Sequence, residues 1–354
     1  MNARFLVPLA LAALVACGGA EGSGDTPRSR GVDLTGAGAT FPYPLYNRWT
    51  TDYLAERGVR INYQSLGSGA GIQQLAAGTV DFGASDAPMT DEEISRARGG
   101  AVVHIPTTIG AVTVSYNLEG LTEPLRLTGE LVADMYLGRV TRWNDARIAA
   151  LNPGVTLPAA AILPVHRSDG SGTTYVFTEY LSAVSPAWRS GPGTGKEVAW
   201  PTGIGAKGNE GVASQVKSSP GTVGYIEVVY ANQNRLAKAA IQNAAGNWVL
   251  PNSESITAAA AGVADTLSAE TDYRVSIINA PGDEAYSISS FTWVLLYRVQ
   301  PDTVKGRKLV EFLRWAVTDG QQRSAAMDYG PLPQQMRDRL VARLETVQIG
   351  GATP

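Results

Sequence analysis

The chain of 354 residues contains one cysteine and two histidines. A single thiol cannot form an internal disulfide, and two scattered imidazoles with one thiol supply no zinc-type ligand cluster. Positive charge is not in excess: 29 Lys and Arg stand against 32 Asp and Glu, a net −3. Nucleic-acid binders need a concentrated basic face, so this balance argues against that class. A bound anion would be held by local dipoles and hydrogen bonds rather than by a broad positive field. Past the first residues no stretch offers about 18 consecutive apolar side chains, so nothing in the body reads as a membrane span. No internal repeat is visible. Aromatics are present (7 Trp, 14 Tyr), but Trp49, Tyr53 and Trp315 fall at helical core spacing and read as core rather than as a stacking surface.

What is present begins at the N-terminus. Arg4 precedes an apolar run from Phe5 to Ala16, the n-region and h-region of a signal peptide. The run ends Leu14-Val15-Ala16-Cys17, which resembles the lipobox of bacterial lipoproteins, in which the cysteine is lipidated and becomes the new N-terminus. An ordinary signal peptide with an incidental cysteine is the alternative. Residues 18–31 carry almost no apolar side chains and read as a flexible tether. Residues 1–16 are thus expected to be the signal peptide and 17–31 the lipidated Cys and tether. Losing Arg4 leaves 28 basic against 32 acidic residues, a net −4. The expected location is the cell envelope outside the cytoplasm, lipid-anchored or periplasmic.

From Val32 onward strand-like and helix-like pieces alternate, the pattern of an α/β fold with a largely parallel sheet. Strands are expected at 34–39, 59–65, 80–85, 102–116, 162–167, 221–229 and 287–298. Helices are expected at 43–57, 72–77, 128–136, 144–151, 173 onward, 210–217, 255–267, 303–319 and 333–347. Thr90-Asp91-Glu92-Glu93 is a capping box heading a helix toward Arg98. Residues 200–211 read as loop. The body is long for one core and suits two lobes. The β-rich run Val102–Tyr116 could carry the chain from one to the other, and Ser287–Arg298 could bring it back.

The most informative stretch is Ile162 to Phe177. A short apolar strand ends at Arg167, Asp169-Gly170-Ser171-Gly172 has turn chemistry, and Thr173 begins a helix with Val176, Phe177 and Tyr180 at helical spacing. A helix opening on Ser-Gly-Thr leaves free N–H groups and a favourable dipole in front of it. The Ser171 and Thr173 hydroxyls and the Arg167 guanidinium would add to an oxyanion site. By itself the stretch reads first as an ordinary helix cap. Two further small-residue turns, Gly36–Thr40 and Gly67–Gly71, also open helices, and Ser85-Asp86 ends a strand. In α/β folds ligands bind at the carboxyl ends of strands, where such turns gather.

Other patterns fail on inspection. Gly193-Thr194-Gly195-Lys196 lacks the P-loop pattern, because Ser190 stands where a glycine is required and Glu197 where Ser or Thr is. Ser171 lacks the nucleophile-elbow glycines, since Asp169 and Thr173 occupy those places. His104 and His166 are the candidate bases. His166 neighbours Arg167 on a strand, so the two side chains face opposite ways.

Gly36-Ala-Gly-Ala-Thr-Phe-Pro, Gly67-Ser-Gly, Asp81-Phe-Gly-Ala-Ser-Asp-Ala-Pro and Arg167-Ser-Asp-Gly-Ser-Gly-Thr occur in this order. The set closely resembles the periplasmic phosphate-binding proteins of bacterial phosphate ABC transporters, over about Leu34 to the Tyr329-Gly-Pro-Leu-Pro segment. The resemblance implies an α/β two-lobe type II periplasmic solute-binding fold, its hinge crossed twice and its ligand in the interlobe cleft. The first lobe would comprise 32–112 and 285–354, the second 113–284. It implies a monomer that binds inorganic phosphate and delivers it to ABC permease subunits. It also implies no cofactor, metal or catalysis. The phosphate-binding residues would be Thr40, Phe41, Ser68 and Asp86 from one lobe and Arg167, Ser171, Gly172 and Thr173 from the other, with Asp169 orienting the guanidinium. Asp86 then has a physical role: an ionised carboxylate only accepts, so it can take a hydrogen bond from the proton on phosphate and repels unprotonated sulfate. A buried mismatch of that kind costs on the order of a few kcal/mol. The competing readings are a receptor for sulfate or molybdate, a phosphate-ester hydrolase, and a lipoprotein that only senses phosphate.

Overall fold

The computed structural model describes residues 33–121, 123–262, 266 and 268–351, so the proposed signal peptide, Cys17 and the tether lie outside the described residues. In the first part of the chain β1 (Leu34–Gly38), α1 (Tyr43–Arg57), β2 (Ile61–Ser65), α2 (Ser68–Ala77) and β3 (Phe82–Ser85) alternate as expected. Helix α1 buries Leu45, Trp49 and Tyr53, spaced four apart on one face, and stops at Gly58 in the left-handed region. Helix α2 begins at Ser68, four residues before the expected start. Gly67, Gly69 and Gly71 read as a loop in the sequence. Only Gly67 is outside the helix, with φ 99°, and the other two form its first turn. Both bonds of the Thr90–Glu93 capping box are made at the head of α3 (Asp91–Ser95). That helix ends short of Arg98, whose N–H turns to the Ala76 carbonyl at 3.1 Å.

The fully buried strand β4 (Val102–Tyr116) follows. The middle of the chain forms β5 (Arg126–Leu127), α4 (Gly129–Tyr136), α5 (Ala146–Leu151), β6 (Leu163–Arg167), α6 (Gly172–Val184), α7 (Pro186–Ser190), β7 (Ile204–Ala206), α8 (Gly208–Ser218), β8 (Thr222–Glu227) and α9 (Val228–Asn234). Strand β7 lies in the stretch read as loop. Its side chains are largely exposed, so it has no apolar signature, and backbone pairing with β6 holds it in place. Then come β9 (Ala237–Lys238), β10 (Ala240–Gln242), β11 (Trp248–Val249), α10 (Ser253–Ala261), β12 (Ser289–Tyr297), β13 (Val299–Gln300), α11 (Thr303–Val317), α12 (Gln334–Leu344) and β14 (Gln348–Ile349).

The main sheet runs β2-β1-β3-β12-β4-β8-β6-β7, with β9 also on β4. Strands β1, β2 and β3 are parallel, as are β6, β7 and β8. The long strand β4 joins these two groups. Its residues Val102 to Ala111 pair with β12, and Val112 to Tyr116 pair with β8. Strand β12 stays in the first half: it starts opposite Ala111, and the Val112 N–H bonds the Ile288 carbonyl just before it. One strand therefore spans both halves, and the return is made by the irregular chain ahead of β12. Asp272, Tyr273 and Arg274, within the range expected for the second lobe, contact the first half. Asp272 meets His104 and Arg343, the Tyr273 carbonyl accepts from the Trp293 indole, and Arg274 meets Met89 and Asp91.

Candidate functional site

Parallel strands end together, and the turns at their carboxyl ends are the ones singled out above. Thr40 and Phe41 lie between β1 and α1, Ser68 is the first residue of α2, and Asp86 follows β3. From the other half, Arg167 ends β6, Ser171 caps α6, and Gly172 and Thr173 are that helix's first residues. All are buried; Arg167, the one cation among them, is only 4% exposed.

Contacts link the two sets across the middle of the sheet. The Gly69 N–H at the head of α2 donates to the Gly170 carbonyl at 2.9 Å. A Cβ on Gly172 would stand 2.4 Å from Ser68 Oγ and 2.5 Å from Asp86 Oδ2, so only glycine allows α6 to come this close. Gly67 is held as firmly: besides its φ of 99°, a Cβ there would fall 2.5 Å from Asp169 Oδ2. The two helix N-termini converge, each with first-turn N–H groups that lack intrahelical acceptors. Ser171 spends one lone pair as the cap, accepting from the Thr174 N–H at 3.0 Å. Phe41 offers only its backbone, because its ring packs on Gly110 of β4 and its carbonyl accepts from Tyr329 Oη at 2.7 Å.

Arg167 is locked by partners within the protein. Its Nε and Nη2 donate to the two oxygens of Asp169 at 2.7 and 2.5 Å, and Nη1 points to Thr173 Oγ1 at 3.4 Å. Its backbone N–H donates to Tyr225 Oη at 2.9 Å. The Gly208 N–H also donates to Asp169, at 3.1 Å. Burial alone would push the Asp169 carboxyl up, but the bonds and charge of Arg167 outweigh it and hold the group below the usual carboxylate range.

Asp86 is in the opposite condition. It is 1% exposed, and the side chains that donate to it are neutral: Thr292 Oγ1 donates to Oδ1 at 2.6 Å and Ser68 Oγ to Oδ2 at 3.4 Å. Burial raises its pKa to about 7, against the pull of the Thr292 bond and the Arg167 charge. The ionised acceptor inferred from sequence is therefore fully formed only above neutral pH.

Three participants were not singled out from the sequence. Thr292 lies on β12 where the register against β4 shifts between Thr292 and Trp293, beside Pro106, which has no N–H to give. A threonine between Phe291 and Trp293 in the apolar part of the strand was its only signal. Asn209 is fully buried and joins Thr40 to Thr173, with Nδ2 at 2.9 and 3.0 Å from the two hydroxyls. Glu227 is fully buried at the end of β8. Its Oε2 accepts from the Val229 N–H, its Oε1 has no hydrogen-bond partner, and burial with the charges of Asp86 and Asp328 pushes its carboxyl well above the usual range.

Neither histidine is placed as a base. His104 accepts from the Met89 N–H at Nε2, 3.0 Å, and meets Asp272 at Nδ1, 2.7 Å. His166 stacks on Trp200, ring centroids 4.9 Å apart, with Nδ1 on the Arg167 carbonyl. It faces away from the guanidinium, as strand alternation requires.

The chain is similar to known proteins over most of its length. The profile of a PBP superfamily domain matches residues 21–319. The phosphate-binding protein PstS of Xylella fastidiosa (strain 9a5c) is 44% identical over 328 residues, covering 91% of this chain and 88% of that protein. The PstS of Pasteurella multocida (strain Pm70) is 42% identical, covering 88% and 90%. Among solved structures, a high-affinity periplasmic phosphate-binding protein (PfluDING) bound with phosphate superposes with a TM-score of 0.72 at 19% identity, covering 90% of this chain and 96% of that one. At that identity the likeness speaks for the fold, the mixed α/β type II solute-binding architecture. With both the domain profile and these relatives spanning most of its length, the chain belongs to the PstS family of phosphate-binding proteins, within the PBP superfamily.

Proposed function

We propose that this chain binds inorganic phosphate outside the cytoplasm and hands it to an ABC-type import permease, without chemistry on the ligand. The observation that carries the reading is the convergence of two helix N-termini, a locked arginine and one buried carboxylate on a single point. Thr40, Phe41, Ser68, Arg167, Ser171, Gly172 and Thr173 donate to the anion, and Asp86 accepts its proton. The two sheet halves are the lobes, 32–112 with 285–354 and 113–284, and residues 272–274 tie the second segment to the first. Lobe closure makes the contacts that now bridge the halves. Cys17 carries the lipid that tethers a monomer to the membrane, and replacing it (Cys17→Ser) should move the protein from the membrane to the soluble fraction; unchanged fractionation contradicts the anchor.

Calorimetric titration of the chain without residues 1–16 tests the reading. Phosphate should bind and sulfate should not at about pH 8, where Asp86 is ionised. Equal uptake of both, or of neither, overturns it. A sulfate receptor is the second reading, and the raised pKa of Asp86 is the observation in its favour: a neutral carboxyl can donate to an unprotonated oxygen.

A further inference from the structure

Asn209 touches the proposed site only through other side chains, yet its bonding is over-determined. The backbone N–H of Glu227 can only donate, and it lies 2.9 Å from the Asn209 side-chain oxygen. The amide orientation follows: its oxygen faces Glu227, and its NH₂ faces the hydroxyls of Thr40 and Thr173 at 2.9 and 3.0 Å. Each hydroxyl receives a second donor. Thr40 Oγ1 also accepts from the Asn209 backbone N–H at 3.3 Å, and Thr173 Oγ1 from Arg167 Nη1 at 3.4 Å. A hydroxyl has two lone pairs and one hydrogen. With both lone pairs engaged, each threonine has only its hydrogen left to offer.

We propose that Asn209 is a positioning residue that turns the Thr40 and Thr173 hydroxyls into obligate donors toward the bound anion. This rests on the phosphate reading above. It assigns the acceptor role to Asp86 alone among these three side chains, because neither threonine can accept a ligand proton while Asn209 is in place. It also couples the halves, since Thr40 belongs to the β1–α1 turn and Thr173 to the head of α6.

The test replaces the donor with an acceptor of the same shape. In Asn209→Asp the threonine hydroxyls turn toward the introduced carboxylate and present lone pairs to the ligand. Phosphate affinity at about pH 8 should fall by roughly tenfold or more, and the pH of tightest binding should move down, toward the more protonated ligand. Asn209→Ala frees the hydroxyls without reversing them and should cost about threefold with no shift of the pH profile. Both effects should largely disappear in a Thr40→Val, Thr173→Val background. Should Asn209→Asp fail to fold by circular dichroism, the Ala variant in that same cycle decides. Equal losses in Asp and Ala with an unmoved pH profile, or effects that survive removal of both hydroxyls, overturn the inference. A wild-type chain that binds no phosphate overturns the site reading and this inference together, whereas wild-type binding with silent Asn209 variants overturns this inference alone.

Discussion

Asp169 and Asp86 both feel the charge of Arg167, yet their carboxyls are pushed in opposite directions. Asp169 receives two guanidinium N–H groups and the Gly208 N–H, and stays ionised. Asp86 receives two hydroxyls and no direct cation, and burial wins. The difference lies in the charge of the donors more than in their number: a charge-assisted pair offsets desolvation, while neutral hydroxyls only partly do. The two halves therefore contribute different things. On the proposed reading the Arg167 side would attract any tetrahedral oxyanion, and the Asp86 side would choose among them by whether a proton lies between carboxylate and ligand.

The comparison can be broken at either end. Removing the cation should have the largest effect: Arg167→Ala should weaken phosphate on the order of 100-fold or more by calorimetry, since it deletes the guanidinium and leaves Asp169 buried without its partner. An unchanged Kd would remove Arg167 from the site. Next in size is the selector. Asp86→Asn should weaken phosphate by roughly tenfold while raising sulfate affinity by on the order of 100-fold, because the amide donates where the carboxylate could only accept. A variant that still rejects sulfate would show that selection lies elsewhere.

The smallest effects should appear in stability, with opposite signs. Asp86 has a folded pKa above its ordinary value, so its stabilising contribution is present at low pH and is lost as pH rises through about 7. Asp169 has a depressed pKa, so its contribution is present above the ordinary carboxylate range and is lost as pH falls through the lowered value. Without ligand at about pH 8, Asp86→Asn should raise Tm by roughly 2–5 °C and Asp169→Asn should lower it by a similar amount. At about pH 5, inside the window between the ordinary carboxylate value and about 7, the Asp86→Asn gain should shrink. Two shifts of the same sign at pH 8 would erase the distinction between these carboxyls.

Much of this was legible in the chain because it is written in local terms. The four-residue spacing of Leu45, Trp49 and Tyr53, the Thr90–Glu93 box and the apolar run of β4 each specify an element from its own residues. The Ser-Gly-Thr opening of α6 did the same for half of the site. What stayed hidden depends on partners far along the chain. Gly69 and Gly71 read as loop because helix packing, not propensity, makes them helical. Strand β7 is held by β6 alone. Thr292 meets Asp86 only because a register shift on β12 turns it there, and Asn209 acquires a role only when the two halves meet.

Sulfate binding as a function of pH isolates Asp86 most directly, because sulfate carries no proton across the range while Asp86 changes charge near pH 7. Sulfate should be rejected at about pH 8, its affinity should rise as pH falls through about 7, and Asp86→Asn should bind it with no pH dependence. Sulfate affinity that is flat with pH in the wild type, or a pH dependence that persists in Asp86→Asn, would contradict the role given to Asp86.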